Sequence, residues 1–326
     1  METNPTMKEW LHEWYDVYAK PNVKQSTAVS YECYIRKHIV PALGDIPLSD
    51  VKLGTFQKFF NDEAQKYSPK TVSNLRMMFH TAMKIAYQND LISKNYIEFV
   101  KIPTVRTPEM RVFTIAEQKK LTDELKRTDE QFAIGIFLCL TTGIRVGELC
   151  GLQWKHIDFE NNNLMIRQTV QRLPKLDYNG KGNKTEIVIG SPKSQASERD
   201  IPLDDKIIEK LLDYKNKMEQ MHGSYITASD EFLITSKRGT PTEPRTMQDS
   251  FKRIISAAGI TDANFHALRH TFATRALEAG VDFKTLSILL GHSDIIVTMN
   301  HYAHVLNEPK RAAMKNITSI ILQTEE

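Results

Sequence analysis

Four short segments of this sequence carry Arg, Lys, His and Tyr side chains at spacings that could act on a phosphate group. In the first, T-T-G-I-R-V-G-E-L, Arg145 stands at a predicted helix start, and Glu148 follows three residues later on the same helix face. A guanidinium group can hold two phosphate oxygens at once. In the second, S-P-K-S-Q-A-S-E-R-D-I-P-L, a turn presents Lys193 between two predicted strands. Its ammonium could donate a proton to a leaving oxygen if its pKa is lowered.

The third segment, F-H-A-L-R-H-T-F, places His266 and Arg269 three residues apart on one helix face. His266 and His270 are four residues apart, which would also suit two ligands of a zinc ion. The zinc-protease pattern requires Glu directly after the first His, and this chain has Ala267 there. A His/Arg pair that faces a phosphate is therefore the better interpretation.

The fourth segment is L-L-G-H followed by N-H-Y-A. Gly291 is predicted to end a helix, after which His292 projects from the turn, and Tyr302 follows ten residues later. A tyrosine hydroxyl with a pKa near 10 is a poor nucleophile unless cations stabilise its anion and the charge that develops on phosphorus. The arginines and histidines of the other segments would supply that environment.

Each segment taken alone also fits an ordinary structural role, namely a surface ion pair, a solvated hairpin lysine, a polar helix face or a core tyrosine. Together they supply two arginines, two histidines, a lysine and a tyrosine. In such a set the stabilisation of a crowded oxyanion is the largest expected contribution to the rate. The joint pattern therefore predicts phosphoryl transfer.

The first hundred residues predict a bundle of four to five helices, because apolar residues recur there at three- and four-residue spacings. Val17 is expected on the apolar face of the first helix. A second helix, 29–39, is expected to end at Pro41, since proline disfavours helix in the residue before it. Ser49 is predicted to cap the third helix, and Ser68 the fourth, which has proline at its first position.

A proline-containing linker at 102–110 is the predicted domain boundary, so we expect one helical domain over 1–101 and a second domain over 111–326. The second domain is expected to mix helices with one small antiparallel sheet of three strands, at 158–170, 185–189 and 198–203. Its predicted helices lie at 114–127, 131–140, 145–152, 205–220, 246–259, 266–279, 283–290 and 294–301, with a weak tail helix over 309–326. The predicted fold class is thus mainly α with a small antiparallel β-sheet.

The composition limits the function classes. The chain has 326 residues, is 41% hydrophobic and 25% charged, and contains no apolar run long enough to span a membrane. Its start lacks a secretion signal, and its three cysteines cannot all pair within the chain, so a reducing cytoplasm is expected. The net charge of +3 neither demands nor excludes nucleic acid, because binding depends on where charges cluster.

In their order along the chain, T-G-I-R-V-G-E-L, P-K-S-Q-A-S-E-R-D-I-P-L, H-A-L-R-H-T-F-A-T, L-L-G-H-S and H-Y-A-H-V resemble the tyrosine recombinase (phage integrase) family. The resemblance spans about 140–305, and the helical domain with its linker is similar to the core-binding domain of that family. Within the family, the chain is similar to integrases of temperate phages and of conjugative transposons of Gram-positive bacteria.

The resemblance implies a helical core-binding domain and an α+β catalytic domain that form a C-shaped clamp on DNA. It implies a site-specific recombinase that integrates or excises a mobile element by cutting and rejoining DNA strands. Tyr302 matches the nucleophile, which forms a 3′-phosphotyrosine link and frees a 5′-hydroxyl, and Arg145 and Arg269 match the pair that clamps the scissile phosphate. Bond energy is kept in the phosphotyrosine, so the family needs neither a metal nor another cofactor.

Four further positions match residues with a role in the family. His266 corresponds to a proton acceptor and phosphate ligand, and Lys193 to the general acid that protonates the 5′-oxygen. His292 corresponds to a ligand of a phosphate oxygen, and Glu148 to an acidic residue that supports the site.

The resemblance also implies partners: double-stranded DNA recombination sites, an excision helper protein, and further copies of the chain in a tetramer on two duplexes. Docking of the C-terminal tail on a neighbouring copy would suit its apolar residues, which are Ile317, Ile320 and Ile321. Simple packing of the tail on its own domain is an equal alternative. The segment 171–190 is expected to contact DNA or to shape the partner strand near the cut. Four basic residues of the helical domain are candidates for phosphate contacts, although each also fits an ordinary solvated side chain: Lys66, Lys70, Arg76 and Lys84.

Several other interpretations stay open. A chromosome-dimer resolvase of the same family has a compatible length, and a DNA-binding protein without catalysis would not need the nucleophile. A metal-dependent hydrolase could use four histidines: His266, His270, His301 and His304. Against this interpretation, the chain offers no carboxylate or cysteine ligands at a useful spacing from them. Many related integrases carry an N-terminal arm-binding domain; we expect this chain to be without one, either because it is naturally short or because it is trimmed.

Overall fold

The computed structural model describes residues 4–104, 110–128, 132–176, 180–192, 195–236, 239–302, 314 and 317–321. The chain divides into two compact units. The first, here called the helical unit, contains Met1–Pro108 together with Leu173–Glu186, and the second, the mixed unit, contains Glu109–Arg172 and Ile187–Glu326. Within the described ranges, none of the helices has the length and apolar character needed to cross a bilayer.

In its described residues the helical unit contains five α-helices: α1 Met7–Glu13, α2 Gln25–Tyr34, α3 Val40–Leu43, α4 Leu53–Lys66 and α5 Pro69–Gln88. Wider π-helical turns, Trp14–Ala19 and Ile35–Ile39, follow α1 and α2. The core of the unit is rich in buried aromatic rings, which are Trp10, Trp14, Phe56, Phe59, Phe60 and Phe79. Ser68 caps α5 as predicted, because its side chain accepts a hydrogen bond from the backbone N–H of Thr71.

Three local predictions for this unit were wrong. Pro41 does not end a helix but lies in the first turn of α3, directly after the π-helical turn Ile35–Ile39. Ser49 does not cap α4, which begins at Leu53 after Lys52. Val17 is 58% exposed, because the π-helical turn widens the helix and shifts the side chains that follow α1.

The mixed unit contains eight α-helices among the residues that the structure describes. They are α6 Ile115–Arg127, α7 Ala133–Thr142, α8 Val146–Gly151, α9 Asp205–His222, α10 Pro244–Ala257, α11 His266–Glu278, α12 Phe283–Leu290 and α13 Ile295–Tyr302. The capping box of α6 is formed by Thr114 and Glu117, as its sequence predicts. In the tail, the described positions 314 and 317–321 are helical, and Ile317, Ile320 and Ile321 are exposed.

The strands form two small sheets instead of the single predicted one. Strands β1 Ile157–Asp158, β2 Asn163–Ile166 and β5 Arg199–Pro202 make an antiparallel sheet in which Leu164 pairs with Ile201. Strands β3 Thr169–Pro174 and β4 Thr185–Gly190 pair separately. The single strand predicted over 158–170 is divided by a turn in which Asn162 adopts a φ of 51°. The predicted class, mainly α with small antiparallel sheets, is confirmed.

Candidate active site

Two helices of the mixed unit end at glycines in the left-handed conformation. Gly143 (φ 68°) ends α7, and Gly291 (φ 64°) ends α12. A β-carbon at Gly291 would lie 2.8 Å from Nη1 of Arg199, so the site also needs glycine there for space. A helix end leaves its last carbonyl groups without helical partners, and these carbonyls accept hydrogen bonds from arginines in this structure.

Arg269, on α11, lies at the centre of these helix ends and is only 3% exposed. Its Nη1 donates to the carbonyl of Gly143 (2.8 Å), and its Nη2 donates to the carbonyl of Leu290 (2.7 Å) and to Nε2 of His292 (2.9 Å). All three acceptors are neutral. Burial, reinforced by the charge of Arg145, lowers the pKa of Arg269 to about 9. The guanidinium thus remains charged at neutral pH.

Arg145 has a carboxylate partner. At the N-cap of α8, its Nη1 donates to Oε1 of Glu148 (2.7 Å) and its backbone N–H donates to Oε2 (3.0 Å). Its Nη2 reaches the carbonyl of Gly291 (3.2 Å). The side chain is 35% exposed, so the guanidinium retains access to a ligand.

Glu148 also binds a second arginine, Arg199, which the sequence analysis did not select. Nη2 of Arg199 donates to Oε2 of Glu148 (2.9 Å), while Nε and Nη1 donate to the carbonyls of Leu289 (2.6 Å) and Ser197 (3.0 Å). Burial alone would raise the pKa of Glu148, but Arg199 and then Arg145 hold it below its ordinary value. The alternation of β5 carried the missed signal, since it places Arg199 on the same buried face as Ile201.

His292 follows Gly291 directly and is fixed on both sides of its ring. Because arginine can only donate, Nε2 of His292 accepts from Arg269, and Nδ1 therefore carries the proton and donates to Oγ1 of Thr298 (2.7 Å). Burial, followed by the charges of Arg269 and Arg145, lowers the pKa of His292 to about 3. The ring is neutral at physiological pH. Thr298, fully buried on α13, is another residue that the motifs did not indicate.

Tyr302, at the end of α13, has its ring in a small apolar cluster with Ala273, Leu277, Leu286 and Leu290. Its hydroxyl lies 2.7 Å from Nδ1 of His270. Burial raises the pKa of Tyr302 to about 12, although Arg269 opposes that rise. Tyr302 thus has a buried ring and a hydrogen-bonded hydroxyl, and it lies close enough to Arg269 to feel its charge.

His266 begins α11 one turn before His270, and the two rings pack edge to face with centroids 4.6 Å apart. His266 is exposed at the surface, but the surrounding protein partly desolvates its ring. This desolvation, followed by the charges of Arg269 and Arg145, lowers the pKa of His266 to about 4. Lys193, the predicted general acid, lies outside the described residues. His304, part of the alternative metal interpretation, lies outside them too.

The basic residues predicted to contact DNA lie in the helical unit. Lys70 and Lys84 are exposed on α5, and Nζ of Lys66 lies 3.6 Å from Oε1 of Glu63. Arg76 is half-buried, and its Nη2 donates to the carbonyls of Ile97 (3.2 Å) and Glu98 (3.1 Å). The guanidinium of Arg76 is therefore already hydrogen-bonded within the helical unit. The outer part of the predicted DNA-contacting segment also belongs to the helical unit, where Nε2 of Gln25 donates to Oε1 of Glu186 (2.9 Å).

The arrangement of the mixed unit suits a phosphate group. A cleft of about 430 Å³ is lined by Arg145, Glu148, Gly291 and His292, among others. The site holds the guanidinium groups of Arg145, Arg199 and Arg269, but the carboxylate of Glu148 binds only Arg145 and Arg199. Because the histidines are neutral, positive charge is in excess. Among the residues that the structure describes, no group of three or more His, Cys, Asp or Glu side chains could hold a metal ion.

Comparisons with known proteins agree with this chemistry. The pattern of the phage integrase family matches residues 111–308, and that of the phage integrase N-terminal SAM-like domain matches residues 6–64. A tyrosine recombinase XerC-like protein of Caldanaerobacter subterraneus is 29% identical over 97% of this chain and 84% of its own length.

Two solved structures extend the comparison. The Tn1549 transposon integrase in complex with transposon right end DNA is 26% identical, with a TM-score of 0.79 over 96% of this chain and 99% of that one. The lambda integrase tetramer bound to a Holliday junction shares the fold, with 20% identity and a TM-score of 0.65 over 89% of this chain and 78% of that one. The family pattern covers more than half of the chain. The chain therefore belongs to the phage integrase family and is a site-specific tyrosine recombinase, an enzyme that cuts and rejoins DNA strands.

Proposed function

We propose that this recombinase integrates and excises a mobile element through a 3′-phosphotyrosine intermediate at Tyr302. The observation that carries the proposal is the buried Arg269, whose hydrogen-bond acceptors among the described residues are all neutral. A buried cation without a carboxylate partner is costly unless an anion neutralises it, and a phosphodiester would do so. Arg269 is linked through His292 to Thr298 on α13, the helix that carries Tyr302.

In the proposed step, the Tyr302 oxygen attacks the scissile phosphorus while the bond from phosphorus to the 5′-oxygen breaks. Arg145 and Arg269 hold the nonbridging oxygens and stabilise the charge that develops on them. His266 and His292 are further phosphate ligands, Lys193 protonates the departing 5′-oxygen, and Glu148 holds Arg145. The reverse reaction, by a 5′-hydroxyl of a partner strand, rejoins the DNA without a metal or another cofactor.

The helical unit is proposed to bind the core site, as part of a domain over 1–101 that the linker at 102–110 joins to the domain over 111–326. The exposed Lys66, Lys70 and Lys84 would contribute phosphate contacts, which give affinity and salt sensitivity but little sequence choice. Arg76 is the weakest member of this set because its guanidinium already binds two carbonyls of its own unit.

Assembly is proposed to be tetrameric on two duplexes. The exposure of Ile317, Ile320 and Ile321 favours docking of the tail on a neighbouring copy over packing on its own unit. The enzyme would act in the cytoplasm, on DNA of the nucleoid, with a helper protein for excision.

A nicked duplex that carries the DNA junction flanking the gene tests the proposal. Incubated without divalent metal, the wild-type protein should form a covalent protein–DNA species on a denaturing gel, and Tyr302→Phe should abolish this species while DNA binding persists. Covalent product from Tyr302→Phe would refute the assignment of the nucleophile. Binding of the junction without covalent product from the wild type would favour a non-catalytic DNA-binding protein.

The XerC-like relative makes chromosome-dimer resolution the second candidate function. The DNA around the gene discriminates the two. Direct repeats that bracket the gene together with other genes of a phage or transposon support integration, whereas their absence and a site in the replication terminus support the resolvase.

A further inference from the structure

The hydroxyl of Tyr302 is held by a histidine for which the family resemblance implies no role. Nδ1 of His270 lies 2.7 Å from this oxygen, within the range of a normal O–H···N hydrogen bond. We infer that His270 accepts the proton of Tyr302 during strand cleavage and returns it during rejoining. This inference rests on the proposed function, since it requires Tyr302 to be the nucleophile.

The direction of the hydrogen bond follows from the two groups. At neutral pH the Tyr302 hydroxyl carries its proton, and a neutral imidazole has one ring nitrogen free to accept. The short contact to Nδ1 therefore fits a Tyr302 O–H that donates to Nδ1, with the ring proton of His270 on Nε2. A general base must lie within hydrogen-bond reach of the proton that it removes, and His270 satisfies this condition before DNA binds.

His266, the acceptor that the resemblance implies, is placed differently. It precedes His270 by one helical turn on α11 and packs edge to face against the His270 ring. Among the described residues, no hydrogen bond joins His266 to Tyr302. We therefore assign His266 as a ligand of the phosphate and His270 as the proton acceptor of Tyr302. The two histidines of α11 would thus have different roles.

The charges around His270 are positive or neutral. Facing it are His266 and Arg269 from its own helix, and His301 and Tyr302 from α13. Burial, followed by His266, His301 and Arg269, lowers the pKa of His270 to about 4, so the ring is neutral and can accept a proton at physiological pH. Because the pKa of Tyr302 is about 12, the proton stays on the tyrosine at rest. It moves as the oxygen–phosphorus bond forms, when the bound phosphate supplies negative charge near the new imidazolium.

The step balances in both directions. In cleavage the Tyr302 oxygen forms a bond to phosphorus and releases its proton to Nδ1 of His270, while the 5′-oxygen leaves with a proton from Lys193. In rejoining, the incoming 5′-hydroxyl gives its proton to Lys193, and the departing Tyr302 oxygen recovers the proton from His270. No oxidant, metal or water is consumed.

His270→Asn is the discriminating variant, because the Asn amide oxygen can stand near the place of Nδ1 and accept the hydrogen bond but cannot take the proton. Single-turnover cleavage of the nicked junction duplex should slow by about 100-fold or more, with DNA binding unchanged. His270→Ala should be slowed as well, and added imidazole should restore part of its rate. His222→Asn, at an exposed histidine at the end of α9, is the matched control and should cleave like the wild type.

The pH profile separates proton transfer from a structural effect. Between about pH 6 and about pH 9, wild-type His270 is already neutral, so its contribution to the cleavage rate should be flat. The His270→Asn rate should instead rise by about tenfold per pH unit, because hydroxide must then remove the proton.

Wild-type cleavage rates in His270→Asn, or a slowed variant whose pH profile stays flat, would overturn the inference. Both results leave the proposed function intact, provided that the wild type forms the covalent species and Tyr302→Phe does not. Absence of the covalent species from the wild type would instead overturn the proposed function, and the inference with it.

Discussion

Arg145 and Arg269 match the same phosphate clamp, but the protein holds them by different means. Arg145 is partly exposed and forms an ion pair with the buried carboxylate of Glu148, which Arg199 also binds. Arg269 is buried, and within the described part of the chain it donates to two backbone carbonyls and to a neutral histidine. One arginine thus has its charge balanced within the protein, and the other does not.

This difference separates the two tasks of an anion site. A buried ion pair fixes geometry, and removal of one partner leaves an uncompensated charge. A buried arginine with neutral acceptors keeps its charge available for a ligand. Its burial lowers the stability of the free protein, and binding of the ligand offsets that loss. We therefore expect Arg269 to matter most for the reaction and Glu148 to matter most for the stability of the site.

Arg269→Gln should produce the largest effect on catalysis. Strand cleavage of the nicked junction duplex should fall by about 1,000-fold, because the variant lacks the buried charge that stabilises the developing oxyanion. The free energy of unfolding should change little, since relief of the buried charge offsets the lost hydrogen bonds. Urea denaturation and single-turnover cleavage measure the two effects.

Arg245→Gln is the control, because Arg245 forms an exposed i,i+4 ion pair with Asp249 on α10. It should change neither cleavage nor stability by a measurable amount. If Arg269→Gln lowered stability by several kcal/mol while cleaving at the wild-type rate, Arg269 would be a structural residue and the comparison would fail.

Glu148→Gln should have the largest effect on stability. The variant leaves Arg145 and Arg199 without their carboxylate, which should lower the free energy of unfolding by about 3 kcal/mol or more at neutral pH. Cleavage should also slow, because the guanidinium of Arg145 is no longer held.

The stability lost in Glu148→Gln should depend on pH, in a direction set by the pKa of Glu148. The folded pKa of Glu148 lies below its ordinary value of 4.5, so its stabilisation is present above about that pH and disappears as pH falls through the folded pKa. The difference in stability between wild type and Glu148→Gln should therefore shrink toward acid. A difference that grew toward acid, or was no larger than that of Asp249→Asn, would contradict the ion-pair account.

Local sequence patterns were sufficient at several helix ends whose structure depends on neighbouring residues. The capping box at Thr114 and the cap at Ser68 are formed as predicted, and the helix Phe283–Leu290 agrees with its predicted bounds. The spacing of the motifs also indicated side chains that the structure brings into one network, such as Arg269 and His292.

Contacts between distant segments were not predictable from those patterns. Arg199, on β5, is 51 positions from Glu148, on α8, and only the tertiary fold brings the two together. The sequence assigned His270 to a rejected metal site, because its contact with Tyr302 requires α13 to pack near α11. Pro41 was misread because a preceding π-helical turn lets the helix pass through it.

Thr298→Val should have the smallest effect, and it tests how a neutral acceptor is kept in place for Arg269. Oγ1 of Thr298 accepts from Nδ1 of His292, which keeps the unprotonated Nε2 toward Arg269. Without this acceptor, the Nδ1–H donor loses its partner and the proton can move to Nε2, where it would face the donors of Arg269. We expect a loss of about 1 kcal/mol in unfolding free energy and about tenfold slower cleavage.

Thr298→Ser is the matched variant, because it keeps the hydroxyl and removes only a methyl group. It should cleave near the wild-type rate, and the chemical shifts of the His292 ring nitrogens should report the Nδ1–H tautomer in Thr298→Ser but not in Thr298→Val. Equal cleavage rates for the two variants would show that the packing of Thr298 matters and its hydrogen bond does not. Arg269 would then be held by its backbone carbonyls alone, and the contrast with the carboxylate-bound Arg145 would become sharper.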